Sequence, residues 1–153
     1  MSELAAHASE PAIAPSVSPR HHRRVQVSER LAIAGGGVLG AYLRVIVAKV
    51  AAPPGDHWPW STFIVNIGGA FLLGYFTTRL LERLPPSTYR RPFLATGFCG
   101  ALTTFSTLQF ELLNLIRAGH IQLAIAYGTT SVIVGFAAFL FAVFIVRRAR
   151  VVR

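Results

Sequence analysis

Four long apolar runs, separated by short polar breaks, fill the chain from residue 31 onward: 31–51, 60–81, 93–116 and 121–146. Each has the length, about 20 residues, that a helix needs to cross a hydrocarbon layer of about 30 Å. The intervening stretches carry helix stops and reversals: Pro53, Pro54, Gly55 and Asp56, then 82–92 with Pro85 and Pro86, then the turn Arg117-Ala-Gly-His120. Soluble helices apolar all round need other protein to cover them, and a chain of 153 residues has nothing left over to do so. The pattern predicts an all-α membrane protein with four transmembrane helices in residues 31–148.

Composition supports the same reading. Charged residues make up 14% of the chain, against about 25% in an average soluble domain, too few to keep a globular surface wet. A single cysteine, Cys99, excludes a disulfide framework within the chain and a multi-cysteine zinc site. Residues 1–30 differ in kind, with Pro11, Pro15 and Pro19 spaced among small residues and then Arg20, His21, His22, Arg23 and Arg24. They contain no apolar core of the kind a secretory signal needs, so they read as a disordered, basic cytoplasmic tail that is retained. Residues 149–153 read as a second basic tail.

The net charge of +9 raises the question of nucleic acid, and the placement of the charges answers it. Arg20, Arg23, Arg24 and Arg30 precede the first run. Arg79, Arg83, Arg90 and Arg91 sit at or between the second and third, and Arg147, Arg148, Arg150 and Arg153 end the chain. With alternating helices these fall on one side, against Lys49 and Arg117 on the other. The positive-inside rule therefore places both termini in the cytoplasm of a multi-pass protein of the cell (inner) membrane, with no need for a nucleic-acid partner.

Gly35, Gly37 and Gly40 spell G-x-G-x-x-G, but a dinucleotide fingerprint needs a strand before it and a helix after it, and these glycines lie inside an apolar run. Gly36-x-x-x-Gly40 and Ala70-x-x-x-Gly74 read as close-packing positions between helices. Polar residues within the runs are few and costly. Arg44 lies deep in the first and Asn66 in the second. The third holds Gly97-Phe-Cys-Gly100-Ala-Leu-Thr103-Thr104-Phe105-Ser106-Thr107, then Gln109 and Glu111, with Gly100, Thr104, Thr107 and Glu111 at helical spacing on one face. Tyr127, Thr130 and Ser131 follow in the fourth. Clustered hydroxyls and glycines propagate a helix poorly, so a local break is expected there, buried in protein or lining a cavity. The alternative is hydroxyls bonded back to their own helix. This inventory of hydroxyls, an amide and phenyl rings can replace the water shell of a small anion without trapping it. It holds no activated nucleophile or paired carboxylates, so an enzyme is not expected.

These motifs, in order and at the right spacing over about residues 31–148, resemble the CrcB/Fluc family of fluoride channels. The resemblance rests on Gly36-x-x-x-Gly40-Ala-Tyr-Leu-Arg44, on Thr62-Phe-Ile-Val-Asn66-Ile-Gly-Gly-Ala-Phe-Leu-Leu-Gly74 and on the Gly97–Thr107 stretch with Glu111. It implies an antiparallel, dual-topology-type homodimer of four-helix subunits with the third helix broken, two narrow pores and a central structural sodium ion. The sodium would be held by the backbone carbonyls of Gly100 and Thr103 from both subunits. The fluoride path would run along Asn66, Phe105, Ser106, Thr107, Leu108, Tyr127 and Ser131. Leu108 stands where the family usually has a second phenylalanine, and Arg44 and Glu111 take structural or vestibular positions. The basic bias also fits a heterodimer with a related, oppositely oriented subunit.

The function so implied is passive export of fluoride, which relieves its toxicity and needs neither ATP nor a proton relay; the remaining partner is membrane lipid. Two competing readings are a small proton-coupled multidrug-type exporter and a structural membrane subunit. The first needs a membrane-embedded carboxylate in the first helix, where this chain has only Arg44; the second leaves the polar cluster without a purpose.

Overall fold

The computed structural model describes residues 19–51, 58–82, 87 and 89–149. Helix α1 is Pro19–Val50 and α2 is Trp60–Glu82. A π-helical segment, Pro92–Cys99, continues into the single turn α3, Gly100–Leu102, and α4 (Phe105–Arg117) and α5 (Ile121–Arg148) complete the chain. Among the described residues there is no strand. Three helical stretches are long and apolar enough to cross a membrane: Gln26–Val50, Trp60–Glu82 and Ile121–Arg148. The third expected run is instead divided among the π-helical segment, α3 and α4. Several apolar helices of this length make the chain a multi-pass membrane protein.

One boundary differs from the sequence reading. Residues 19–30, expected as part of the disordered tail, are helical, because α1 starts at Pro19. Proline is preorganised for the first helical position. Once an apolar helix exists, extending it through Arg, Gln and Glu requires only propagation, without a new nucleus. Residues 1–18 and 150–153, the rest of the two expected tails, lie outside the described residues.

Few side chains are fully buried, the largest being Tyr127 and Cys99, while Val38, Tyr42, Ile133, Phe136 and Phe141 are exposed on the outer faces. In water this distribution would be unstable. In a bilayer the exterior is as apolar as the interior, so packing rather than apolar burial must hold the helices together. Glycine provides that packing. A Cβ at Gly36 would collide with the carbonyl of Phe93, one at Gly40 with the carbonyl of Phe98, and one at Gly97 with the carbonyl of Ile33. The four-residue spacing of Gly36 and Gly40 is one α turn, and the five-residue spacing of Phe93 and Phe98 is one π turn. The wider turn of the π-helical segment thus keeps its carbonyls in register with the glycines of α1. At Gly74 a Cβ would lie 2.6 Å from the Phe139 carbonyl, which brings α2 and α5 equally close.

Two further features fix the layout. Arg147 closes on Glu82 with Nε at 3.0 Å and a terminal nitrogen at 2.9 Å from the same oxygen, joining the last turns of α2 and α5. The reversal between α4 and α5 is a Schellman turn: Gly119, at φ 84°, donates to the Ile116 carbonyl at 3.0 Å, and His120 donates to Leu115 at 2.9 Å. Glycine is needed there because a side chain strains at positive φ.

A branched side chain at the α1 contact has no room. Gly40→Leu should destabilise the protein by about 1–3 kcal/mol or more, as overpacking does, and lower its midpoint in a thermal-aggregation assay in detergent. Gly37→Leu, at a position with no neighbour within 4 Å, should leave the midpoint almost unchanged.

Candidate functional site

The site is built around two residues that leave the helix. Thr103 (φ −75°, ψ 153°) and Thr104 (φ −146°, ψ 114°) are both extended, and α4 starts immediately after them. An extended residue loses its helical hydrogen bonds, and Asn66 supplies replacements. The Thr104 N–H donates to Asn66 Oδ1 at 2.8 Å, and Asn66 Nδ2 donates to the Thr104 carbonyl at 3.1 Å. One side-chain amide therefore pairs with both backbone groups of Thr104, as a neighbouring strand would. The Thr104 hydroxyl caps α4, accepting from the Thr107 N–H at 3.2 Å. It also donates to Thr107 Oγ1 at 2.9 Å and lies 3.3 Å from Ser106 Oγ. Gly69, one turn beyond Asn66, leaves room for the Thr103 methyl.

This diversion of donors has a consequence for two carbonyls. In a continuous helix Gly100 would accept from the Thr104 N–H and Thr103 from the Thr107 N–H. Those donors are instead taken by Asn66 Oδ1 and Thr104 Oγ1. Gly100 is exposed, and nothing lies within 4 Å of where its Cβ would be. Among the described residues no group of three or more His, Cys, Asp or Glu could hold a metal ion. A cation at the break would rely on these carbonyl oxygens, donors suited to a hard ion.

A second cluster lies on the far side of Asn66. Both carboxylate oxygens of Glu111 are engaged, Oε1 by the Thr62 hydroxyl at 2.6 Å and Oε2 by the Tyr127 hydroxyl at 2.7 Å. Residues of α2, α4 and α5 are thereby joined through one carboxylate. Tyr127 is fully buried, and the Trp58 ring packs edge-on against it with centroids 5.3 Å apart. Thr62 and Asn66 are one turn apart, so a single face of α2 supports both Glu111 and the break.

Between α1, α2 and the break lies a cavity of about 260 Å³ lined by Arg44, Ser61, Thr62, Val65, Thr104 and Thr107, among others. Arg44 Nε is buried and has no hydrogen-bond partner. Thr107 Oγ1 accepts from Thr104, which leaves its own hydrogen for a partner in the cavity. On α5, Ser131 sits one turn beyond Tyr127, buried, and its Oγ has no hydrogen-bond partner.

The structure thus brings Asn66, Ser106 and Thr107 together at the break, with Arg44 across the cavity and Glu111 joined to Tyr127. Two expected path residues lie elsewhere. Phe105 is 71% exposed and projects off the protomer, whereas Leu108 is 7% exposed and packs with Leu115, Ala124 and Tyr127 in the core. The helical face expected to run from Gly100 through Thr104 to Glu111 is interrupted, because the extended pair sets Gly100 apart and only Thr104, Thr107 and Glu111 remain in register. Bonding back to the preceding helix accounts for Thr103, whose hydroxyl donates to the Cys99 carbonyl at 3.1 Å, but not for Thr104. Sequence reasoning missed Thr62 as a partner of Glu111; its place one turn before Asn66 was the available signal.

Comparison with known proteins shows the family. Residues 31–143 match the family model described as CrcB-like protein, Camphor Resistance (CrcB). The chain is 52% identical over 135 residues to the fluoride-specific ion channel FluC 1 of Mycobacterium bovis, covering 88% of this chain and 99% of the relative. It is 54% identical over 125 residues to FluC 1 of Mycolicibacterium paratuberculosis (82% and 95%), and 45% identical over 104 residues to the fluoride-specific ion channel FluC of Pyrococcus horikoshii (68% and 83%). With both the motifs and the matched length in agreement, the chain belongs to the CrcB family.

Proposed function

We propose that this protein is a fluoride-selective channel that lets fluoride leave the cell passively across the cytoplasmic membrane, with both termini on the cytoplasmic side. The observation that carries this reading is the break at Thr103 and Thr104, where hydroxyls and the Asn66 amide meet a helix N-terminus in a chain so similar to proteins named as fluoride-specific channels. The start of α4 presents N–H groups and a positive dipole end, and the Arg44 guanidinium lines the same cavity. Fluoride ionises inside the cell after entering as the neutral acid, so a selective pore suffices for its removal. The chain acts as a channel and not as an enzyme.

The third span is a transmembrane helix broken at mid-depth. The fluoride path takes Asn66, Ser106, Thr107, Tyr127 and Ser131 from one protomer, and Phe105 completes it from a surface that only a dimer encloses. Its exposure on the lone protomer supports an assembly in which a second subunit packs antiparallel over the break. Leu108 supports Tyr127 from beneath. Arg44 gives the cavity a positive wall, and Glu111 holds the Thr62 and Tyr127 hydroxyls. A sodium ion held by the Gly100 and Thr103 carbonyls of both subunits would neutralise the oxygens left without helical donors and bind the dimer at its centre.

Liposomes loaded with potassium fluoride and made permeable to potassium with valinomycin test the function. Rapid fluoride release at an ion-selective electrode, with chloride retained in a parallel sample, is expected; no release from folded protein would overturn the channel reading. Phe105→Ala and Thr107→Val should cut the release rate at least tenfold while the elution volume stays the same.

Asn66→Leu removes both hydrogen bonds to Thr104, each of which contributes about 1 kcal/mol when intact. It should therefore lower thermal stability as well as transport, and by more than Thr107→Val, which removes only the hydroxyl contact with Thr104.

Topology is tested by a single cysteine introduced at Ser2 and labelled in intact and opened cells. Labelling only from the cytoplasmic side is expected from the twelve basic residues on that face, and would assign an oppositely oriented, related subunit as the dimer partner. Labelling from both sides would assign an antiparallel homodimer and overturn the orientation.

A further inference from the structure

The basic end of the molecule holds a cleft that conduction does not use. It lies between the start of the apolar span of α1 and the start of the π-helical segment, has a volume of about 550 Å³, and is lined by Ser28, Leu31, Ala32, Tyr89, Arg90, Phe93 and Leu94. Gly35 lies beside it, with the Phe93 ring 3.5 Å from where a Cβ would be, an ordinary contact distance. Leu31, Ala32, Phe93 and Leu94 make the slot apolar, while Ser28 lies near the start of the apolar span Gln26–Val50 and Tyr89 and Arg90 just precede the π-helical segment. Arg30, Arg90 and Arg91 are all exposed here, with Glu29 the acidic residue among them, so the mouth carries a net positive charge.

An apolar slot opening at the level of a tyrosine and arginines matches the cross-section of a membrane leaflet, where hydrocarbon gives way to headgroups. Arginine binds phosphate oxygens through its fork of N–H donors, and its stem can lie along apolar surface while its head stays in the polar layer. We infer that this cleft is a binding site for one anionic phospholipid, with an acyl chain lying between Leu31 and Phe93 and the headgroup phosphate held at Arg90. The occupant is a lipid and not free phosphate, because most of the lining is apolar. On the cytoplasmic side, where the basic residues of this chain collect, such a lipid would tie the apolar span of α1 to the start of the third span. Those are the two elements whose backbones meet through Gly36, Gly40 and Gly97.

The test uses the full-length chain in detergent, titrated with phosphatidylglycerol or with phosphatidylcholine of the same acyl chains and followed by native mass spectrometry. Phosphatidylglycerol should be retained at several-fold lower concentration, and millimolar inorganic phosphate should not displace it. Arg90→Gln, at an exposed position, should abolish the preference while leaving weak retention of both lipids. Ala32→Phe should fill the slot and abolish retention of both, with an unchanged subunit count. Equal retention of the two lipids, an unaltered preference in Arg90→Gln, or displacement by phosphate would overturn the assignment. So would a loss of dimer in Ala32→Phe with lipid retention unchanged, since the cleft would then be covered by a second copy of the chain.

Discussion

The structure depends on a side-chain amide doing a backbone's work inside a membrane. Two extended residues in the third span would leave unpaired N–H and C=O groups in hydrocarbon, where each costs several kcal/mol. Asn66 meets both groups of Thr104, at 2.8 and 3.1 Å, and Thr104 in turn caps the helix that follows. Aspartate would lack the donor, serine would lack the reach, and leucine would lack both. With the clasp in place, α4 can begin partway along the third apolar run, with Thr104 and Thr107 lining a cavity. Without it, the lower-energy course for the chain is an unbroken helix with no polar opening.

The clasp works only if α2 is held in register with the break, and the glycines provide that register. Gly69 admits the Thr103 methyl, Gly74 brings α5 against α2, and Gly36 and Gly40 let α1 lie on the carbonyls of the π-helical segment. Close backbone contact takes the place of the hydrophobic core of a soluble protein, because lipid offers no apolar driving force between helices. The Glu111 cluster closes the same frame from the other side. A carboxylate accepting from Thr62 and Tyr127 fixes α2, α4 and α5 relative to one another without requiring a charged partner.

Much of this was legible in the sequence, and the rest was not for identifiable reasons. Hydropathy alone located α1, α2 and α5, and the turn at Gly119 followed from residue type. The break was signalled by the poor helix propagators from Gly100 to Thr107, but its register was not, since helical spacing had placed Gly100 on the face of Thr104. The extended pair removes that relation, and no period in the sequence encodes where a helix will open. Thr62 escaped notice because its importance lies wholly in a partner 49 residues away. Leu108 was assigned by position in a motif, whereas its burial against Tyr127 depends on the rotation of α4 after the break. The early start of α1 reflects helix propagation from the membrane outward, which composition read as a loose tail.

The two most exposed features of the break point the same way. Phe105 projects from the protomer, and the Gly100 and Thr103 carbonyls have lost their helical donors, yet both belong to the segment the rest of the protein is built to hold rigid. A membrane offers such oxygens no hydrogen bonds, and lipid gives a phenyl edge nothing to orient it. In the proposed dimer, the second subunit or an ion shared with it would meet them there. The clasp therefore does more than preserve one chain's hydrogen bonds: by fixing where α4 begins, it also fixes where Phe105 and the two carbonyls stand, the groups the proposed dimer would use. The Asn66 amide has a second N–H beyond the one given to Thr104, and in the proposed channel that donor would solvate the passing ion, so one residue would both hold the break open and serve what moves through it.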